Sequence, residues 1–397
     1  MNEWPISTVG FVSTRVTKGT TPKVGGYTTG GVSFVKVESI TSEGQFVPSK
    51  LAYINDETNQ FLARSILEED DLLFSIAGTI GRVARVTPQV LPANTNQALA
   101  IIRPDKNKIA VGFLLYCLRD KNRIQNALSL VVQSVQANLS LSELSSIQIP
   151  FPPLSEQRAI AEVLGALDDK IAANTKLAAT AHELAGHIYD CSTNPFDSVP
   201  MSDVLSPVLG GTPPRSRDDF WAGDQLWASA KDITGAEFST VVDTDEKISC
   251  SAVEKTKAKP LPAGSVILTA RGTVGAVARL AVPASFNQSC YGFVPGVVPP
   301  GVLYFSIVHA TQRAKAIAHG SVFDTITMKT FDHLEFPDFE GDTMANTEAK
   351  IAPLLETITG AVLENHKLAT TRDALLPQLM SGKLRVKDVE SLVSAAV

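Results

Sequence analysis

The stretch LLFSIAGTIGRVARV, residues 72–86, decides how this chain is read, because VILTARGTVGAVARL, residues 266–280, answers it in the second half. Gly78, Thr79, Gly81, Val83, Ala84 and Arg85 reappear as Gly272, Thr273, Gly275, Val277, Ala278 and Arg279. Outward from there, Gly19, Thr20, Pro22 and Lys23 match Gly211, Thr212, Pro214 and Arg215. Ile40-Thr41 matches Ile233-Thr234, and Asn96-Gln97 matches Asn287-Gln288. A helical run follows each copy, in which Asn174-Thr175-Lys176-Leu177-Ala178 is answered by Asn365-His366-Lys367-Leu368-Ala369. One unit, a globular domain plus a long helix, is used twice, and two like modules point to a task with two like halves.

The 397 residues, 44% of them apolar, suffice for two domains with cores of ordinary size. No apolar run approaches the ~18 residues of a membrane span, and residues 1–6 lack the basic and apolar regions of a secretory signal, so a soluble cytoplasmic protein is expected. The four cysteines, Cys117, Cys191, Cys250 and Cys290, form no Cys-x-x-Cys pair. Each reads as a buried small hydrophobe rather than a zinc ligand or half of a disulfide. Net charge is −6: residues 1–150 carry +2, 151–196 carry −3, 197–338 carry −3 and 339–397 carry −2. Phosphate neutralisation supplies most non-specific affinity for DNA, so any DNA binding here needs local basic loops or a partner.

Short β-branched runs at 32–37, 72–76 and 98–102 predict strands, and 112–126 a helix. The second copy keeps the order, with strands at 225–230 and 265–269 and a helix over 302–318. The copies close on Ile147-Gln148-Ile149-Pro150 and Leu334-Glu335-Phe336-Pro337. Residues 1–150 and 191–340 are therefore expected to share one α+β fold.

From Pro152 the period changes to 3.5. Ile160, Leu164, Leu167, Ile171, Asn174, Ala178, Ala181, Ala185 and Ile188 form a heptad seam over residues 151–190, with Ser155 as N-cap. Over residues 341–385 the seam is Ile351, Leu355, Ile358, Val362, Asn365, Ala369, Arg372, Leu376 and Leu379, followed by a tail over 386–397. Interior proline costs ~3 kcal/mol, so Pro353 and Pro377 predict a helix confined to about 354–376, with Gly382 as terminator. Asn174 and Asn365 sit on the seams, either fixing register by facing each other or a partner, or lying at the seam's edge. A helix of ~35 residues is roughly 50 Å long, and antiparallel pairing of the two would hold the globular domains apart.

No catalytic centre is legible. His182-Glu183-Leu184-Ala185-Gly186-His187 has one residue too many for the HExxH zinc signature, which places the two histidines about 140° apart around a helix. No metal is expected. Asn194-Pro195-Phe196-Asp197 is similar to the adenine-methyltransferase motif but lacks its second proline and any glycine-rich cofactor loop, and reads as a turn. No phosphate loop, nucleophile elbow or Cys/His nucleophile pair is present.

Pro152-Pro153-Leu154-Ser155-Glu156-Gln157-Arg158-Ala159-Ile160, the long helix after it, and Leu376-Pro377-Gln378-Leu379-Met380-Ser381-Gly382-Lys383-Leu384 resemble type I restriction-modification specificity (S) subunits. The Gly-Thr-Pro turn at 211–214 and the GTIG and GTVG stretches resemble their target-recognition domains, so the likeness spans essentially the whole chain. It implies an α+β pseudo-twofold repeat: two tandem target-recognition domains separated by an antiparallel pair of long coiled-coil helices. It also implies a non-catalytic subunit that reads an asymmetric bipartite site on double-stranded DNA. Modification (M) subunits, two of them, and restriction (R) subunits would dock on it, with S-adenosylmethionine, Mg2+ and ATP bound only by those partners. Asn346-Thr347-Glu348 departs from the family's Ser-Glu-Gln entry at the second helix. The rival expectation is a helical scaffold without base readout of its own, which the weak basic balance favours.

Polar loop residues are the candidate DNA readers: Thr20, Lys23, Lys36, Arg82 and Gln97 in the first domain, and Thr212, Arg215, Arg217, Lys231, Arg271 and Gln288 in the second. Arg82 and Arg271 flank the GT-x-G turns at non-equivalent positions, as different targets would allow. Arg85 and Arg279, shared by both copies, read as structural ion pairs. Gly78, Gly81, Gly272 and Gly275 read as backbone devices.

Overall fold

The structure, a computed structural model, describes residues 4–22, 26–120, 123–125, 138–193, 197–317 and 325–388. Asn194, Pro195 and Phe196 of the proposed turn lie outside the described residues. Two compact units divide the chain, Met1–Asp168 with Thr370–Val397, and Asp169–Ala369.

In the first unit an antiparallel four-stranded sheet runs in the order Ser13–Lys18, Leu99–Pro104, Leu72–Ser75, Val83–Arg85. Its strands alternate between two cores, as a period of two dictates. Leu72, Phe74, Ala100 and Ile102 face a core completed by helix α1 (Val111–Arg119) and by Ile160, Leu164, Leu376 and Leu379. Leu73, Ala84, Leu99 and Ile101 face a second core with Val35, Ile40 and Ala93. Because both faces are covered, the strands read as unbroken apolar runs. A second sheet, Tyr27–Thr28, Ala52–Ile54, Val32–Val35, Ala93–Thr95, places the Asn96-Gln97 turn at its edge.

The second unit repeats the scheme. Val208–Leu209, Cys290–Phe293, Val266–Thr269, Val277–Leu280 and Thr240–Val241 form the main sheet, and Glu246–Ile248, Gln225–Ala228 and Ser285–Phe286 the smaller one. Val266, Leu268, Tyr291 and Phe293 face the helical side and Ile267, Ala278 and Cys290 the other. Each copy is tied off by a short antiparallel ribbon, Ile6–Thr8 with Gln148–Pro150 and Ser198–Pro200 with Glu335–Pro337. After the main sheet comes a helix packed on it, α1 in the first copy; its counterpart opens at Pro300.

The long helices are α2 (Leu154–Ser192) and, after α3 (Pro300–Ile317), α4 (Thr343–Ser381). Each contributes one half to each unit, and the pairing within each unit is antiparallel. In the first, Ile160 and Leu164 of early α2 share a core with Leu376, Leu379 and Met380 of late α4. In the second, Ala178, Ala181, Ala185 and Tyr189 of late α2 share one with Ile351, Leu355, Ile358 and Val362 of early α4. Of the expected seam, Leu167, Asn174 and Asn365 are also buried and Ile171 is half-buried. At the end of α2 Tyr189 takes the buried place expected of Ile188, because the last steps run 181, 185, 189, the wider spacing of an α-helix that is not supercoiled.

Three helix-boundary expectations are corrected. Helix α2 starts at Leu154, with Gln157 N–H donating to Pro153 O, so Ser155 lies inside the first turn rather than capping it. Helix α4 extends well past the expected 354–376, and Pro353 and Pro377 are interior. Both are exposed, so the carbonyls they release can be hydrated. Their neighbours Leu355, Ile358, Leu376 and Leu379 are buried, and that packing offsets the penalty. Gly382 does end the helix, at φ +72°, with its N–H on Leu379 O and Leu384 N–H on Gln378 O. Cys117 and Cys290 are buried, their thiols pushed up to about 12 by burial. Cys191 and Cys250 are exposed, contrary to the reading of all four as core residues. Among the described residues no helix is long and apolar enough to cross a membrane.

Candidate nucleic-acid interface

Each domain has a corner where two loops meet. In the first, Gly19 N–H donates to Leu99 O and Thr20 N–H to Thr95 O. A Cβ on Gly19 would collide with the Thr95 and Asn96 carbonyls, so the approach requires glycine. Thr21 then donates its hydroxyl to Gln97 Oε1. In the second, Gly210 N–H donates to Cys290 O and Gly211 N–H to Phe286 O, and Thr212 donates to Gln288 Oε1.

These matched bonds correct the repeat alignment by one residue. Gly19-Thr20-Thr21-Pro22 superposes in role on Gly210-Gly211-Thr212-Pro213, not on Gly211 to Pro214. The second copy carries Gly-Gly and Pro-Pro pairs, so identity alone scored the slipped register equally well; the close contact at Gly19 and Gly210 decides it. Thr21, not Thr20, is therefore the counterpart of Thr212.

Thr20 is exposed, and its hydroxyl accepts from Arg64 Nη2 at 3.2 Å, which brings Thr20, Thr21, Gln97 and Arg64 together. Lys23 lies outside the described residues. Lys36 stands over the Tyr27 ring at 4.9 Å and 4.0 Å from Glu38. Arg82 is half-buried, its Nη1 donating to Val37 O at 3.2 Å and Ile40 O at 2.7 Å, which ties it to a turn of its own domain. In the second domain Arg215 stacks on Trp221 at 3.7 Å and grips Glu246 with both terminal nitrogens. That grip, against the opposing effect of burial, holds the Glu246 carboxyl below its usual range. Arg217 pairs with Asp219 and Lys231 with Asp245. Arg271 is exposed on the GT-x-G turn and has no bonded partner among the described residues. Three of the four nominated cations in the second domain therefore carry a carboxylate.

The GT-x-G turns are backbone devices: Gly78, Gly81, Gly272 and Gly275 all have positive φ. Ser75 Oγ donates to Thr79 O and accepts from Arg82 N–H; Thr269 Oγ1 does the same with Thr273 O and Ala276 N–H. Arg85 pairs with Asp70 at 2.6 Å, as read from the sequence. Arg279 does not follow it. It is buried with no ion pair among the described residues, donates to Thr240 Oγ1 at 2.8 Å and lies 5.4 Å from the Tyr304 ring, and burial pushes its pKa down. His182 meets Tyr304 Oη at 3.1 Å, while His187 meets Cys191 Sγ at 3.7 Å, so the two face different neighbours.

Asn174 and Asn365 do not face each other. Asn174 Nδ2 donates to Glu364 Oε2 at 2.7 Å and Asn365 Nδ2 to Thr175 Oγ1 at 3.1 Å, each reaching the other helix. Sequence reasoning missed Thr21, Arg64 and the hub on Asp168 described below. Only the corrected register would have exposed Thr21.

The family model described as the type I restriction modification DNA specificity domain matches this chain twice, over residues 1–182 and 196–337. The chain belongs to that family. It is a type I restriction-modification specificity subunit built from two such domains in tandem, with mixed helix and sheet and two long helices that pack together. Across 90% of its length it is 30% identical to the type I restriction enzyme MjaX specificity subunit of Methanocaldococcus jannaschii, covering 88% of that protein. It is 28% identical to the MjaIX specificity subunit of the same organism, a match spanning 36% of this chain and only 34% of that protein. The S subunit of a type I restriction-modification system from M. genitalium shares the fold, with a TM-score of 0.58 and 14% identity over 95% of this chain and 96% of that one.

Proposed function

We propose that this specificity subunit reads an asymmetric, bipartite site on double-stranded DNA, one half-site per domain, and directs adenine methylation by partner subunits docked on its helices. The observation that carries the reading is one loop corner built twice on the same frame and furnished differently: Thr20 and Arg64 at one, Gly211 and the Arg215–Trp221 stack at the other. A shared frame suits contacts common to both half-sites, and divergent furniture suits different bases. The chain itself is proposed to be non-catalytic and to work in the cytoplasm. S-adenosylmethionine, Mg2+ and ATP would be bound by two modification subunits and, where present, restriction subunits. The length of the paired helices would set the unread gap between half-sites, as dimer geometry does for symmetric readers.

The test is to express the chain with its methyltransferase partner in a host lacking the system and to map modified bases. Methylation at a single bipartite motif, lost without this chain, is expected. A second reading, a scaffold without base readout, is favoured by the net charge of −6 and by the carboxylates paired with Arg215, Arg217 and Lys231. On that reading methylation persists, at the same sites, when this chain is omitted.

A further inference from the structure

The two corners share a third component beyond their clasped turns. In the first domain the helix Asp56–Phe61, capped by Asn55, leads through Ala63–Ser65 to Leu67, whose N–H donates to Ala93 O. In the second the helix Cys250–Lys255, capped by Ser249, leads to Leu261, whose N–H donates to Ala284 O. In both, the segment between helix and strand edge runs directly against the glycine-threonine turn. Arg64 reaches Thr20 from it, and a Cβ on Gly211 would overlap the backbone of Lys257 and Ala258.

That segment carries exposed cations in each domain, Arg64 in the first and Lys257 and Lys259 in the second; Lys259 is drawn back onto the Val253 and Glu254 carbonyls, which leaves Lys257, at a position neighbouring rather than identical to that of Arg64. Neither has a carboxylate partner among the described residues. Several exposed cations elsewhere on the domains are neutralised, Arg85 and Lys106 by Asp70, Arg215 by Glu246, Arg217 by Asp219 and Lys231 by Asp245; of the unpaired ones, Arg64 and Lys257 stand directly against the clasped turns. A cation already paired gains little from a phosphate, whereas an unpaired one on a loop releases a counterion from DNA on contact. A phosphate contact also needs no base-specific geometry, which tolerates the one-residue offset between the copies.

We propose that Arg64 and Lys257 are the corner's phosphate contacts, one per half-site, which seat the DNA backbone against each clasped turn; the proposal rests on the DNA-reading function above. The experiment uses the full chain assembled with its methyltransferase subunits, and duplexes with and without the mapped motif. Affinity is measured from about 50 to 200 mM salt for Arg64→Gln, Lys257→Gln, Arg64→Lys and, as a control, Lys106→Gln, whose lysine already pairs with Asp70. Each Gln variant is expected to bind motif and non-motif DNA more weakly by the same factor, roughly 8-fold at 0.1 M salt, and to lose about 0.9 from the log–log salt slope. Arg64→Lys and Lys106→Gln should keep the wild-type slope. If the Gln variants keep it too, or if Arg64→Gln instead relaxes sequence preference at one half-site, the phosphate assignment is overturned while the DNA-reading function stands. If the unmodified assembly shows no preference for the motif, the DNA-reading function itself has failed.

Discussion

Asp168 of α2 and Arg372 of α4 are joined across the helix pair by an ion pair of 2.7 Å. The same carboxylate accepts from Tyr116 Oη at 2.7 Å and Arg119 Nη1 at 2.9 Å, both on α1, so one side chain fastens the first domain to both long helices. Burial, then the neighbouring carboxylate, pushes the Tyr116 hydroxyl far above its ordinary pKa, keeping it a donor. Removing Asp168 would take a carboxylate from two arginines whose side chains are only about a fifth exposed, leaving Arg119 on the Glu43 carbonyl and Arg372 on Asp373. Asp168→Ala is therefore expected to cost roughly 2–4 kcal/mol in urea unfolding, and Asp168→Ala with Arg372→Ala less than the sum of the single changes. Strict additivity would show that the hub is not coupled.

Asn365 shows the opposite balance. Its Nδ2 donates to Thr175, but its Oδ1 is buried without a partner. An unmet buried acceptor costs about 1–3 kcal/mol, so Asn365→Leu is expected to raise stability by about 1 kcal/mol, read as a higher urea midpoint at unchanged slope. A lower midpoint would mean that the amide contributes more than its vacant oxygen costs.

His182 sits among Phe238, Tyr304 and Phe305, and burial, assisted by the Arg279 charge, holds its pKa below the usual 6.5. The folded state therefore prefers the neutral ring. Its contribution to stability is complete above about pH 6.5 and is lost as pH falls toward the lowered folded value, because the unfolded chain takes the proton first. His309 is lowered by burial as well, against the opposing charge of Asp190. His182→Gln should make the thermal midpoint less sensitive to acid between about pH 7.5 and 5.5, leaving the His309 share. Parallel curves for the two proteins would reject the assignment.

The proposed ruler has a direct test. Inserting seven residues into α2 and seven into α4 lengthens each helix by roughly 10 Å, about three base pairs. Modified-base sequencing should then find both half-sites unaltered and the unread gap wider by about three. An unchanged gap would exclude the helices as the spacer.

The sequence by itself determined the duplicated architecture, the helical seams with their two asparagines, and the glycine turns. All of these rest on local periodicity or backbone permissiveness, which neighbouring residues encode. Tertiary structure alone decided the rest, because it depends on what distant residues bring. The repeat register turns on whether a Cβ at Gly19 or Gly210 meets a carbonyl from a strand far along the chain. Pro353 and Pro377 are tolerated because their faces are exposed while their neighbours pack. Arg85 and Arg279 occupy one motif position, yet Asp70 pairs with the first while the second donates to Thr240 and lies by the Tyr304 ring with no ion pair among the described residues, so the same residue is an ion pair in one domain and a buried cation in the other.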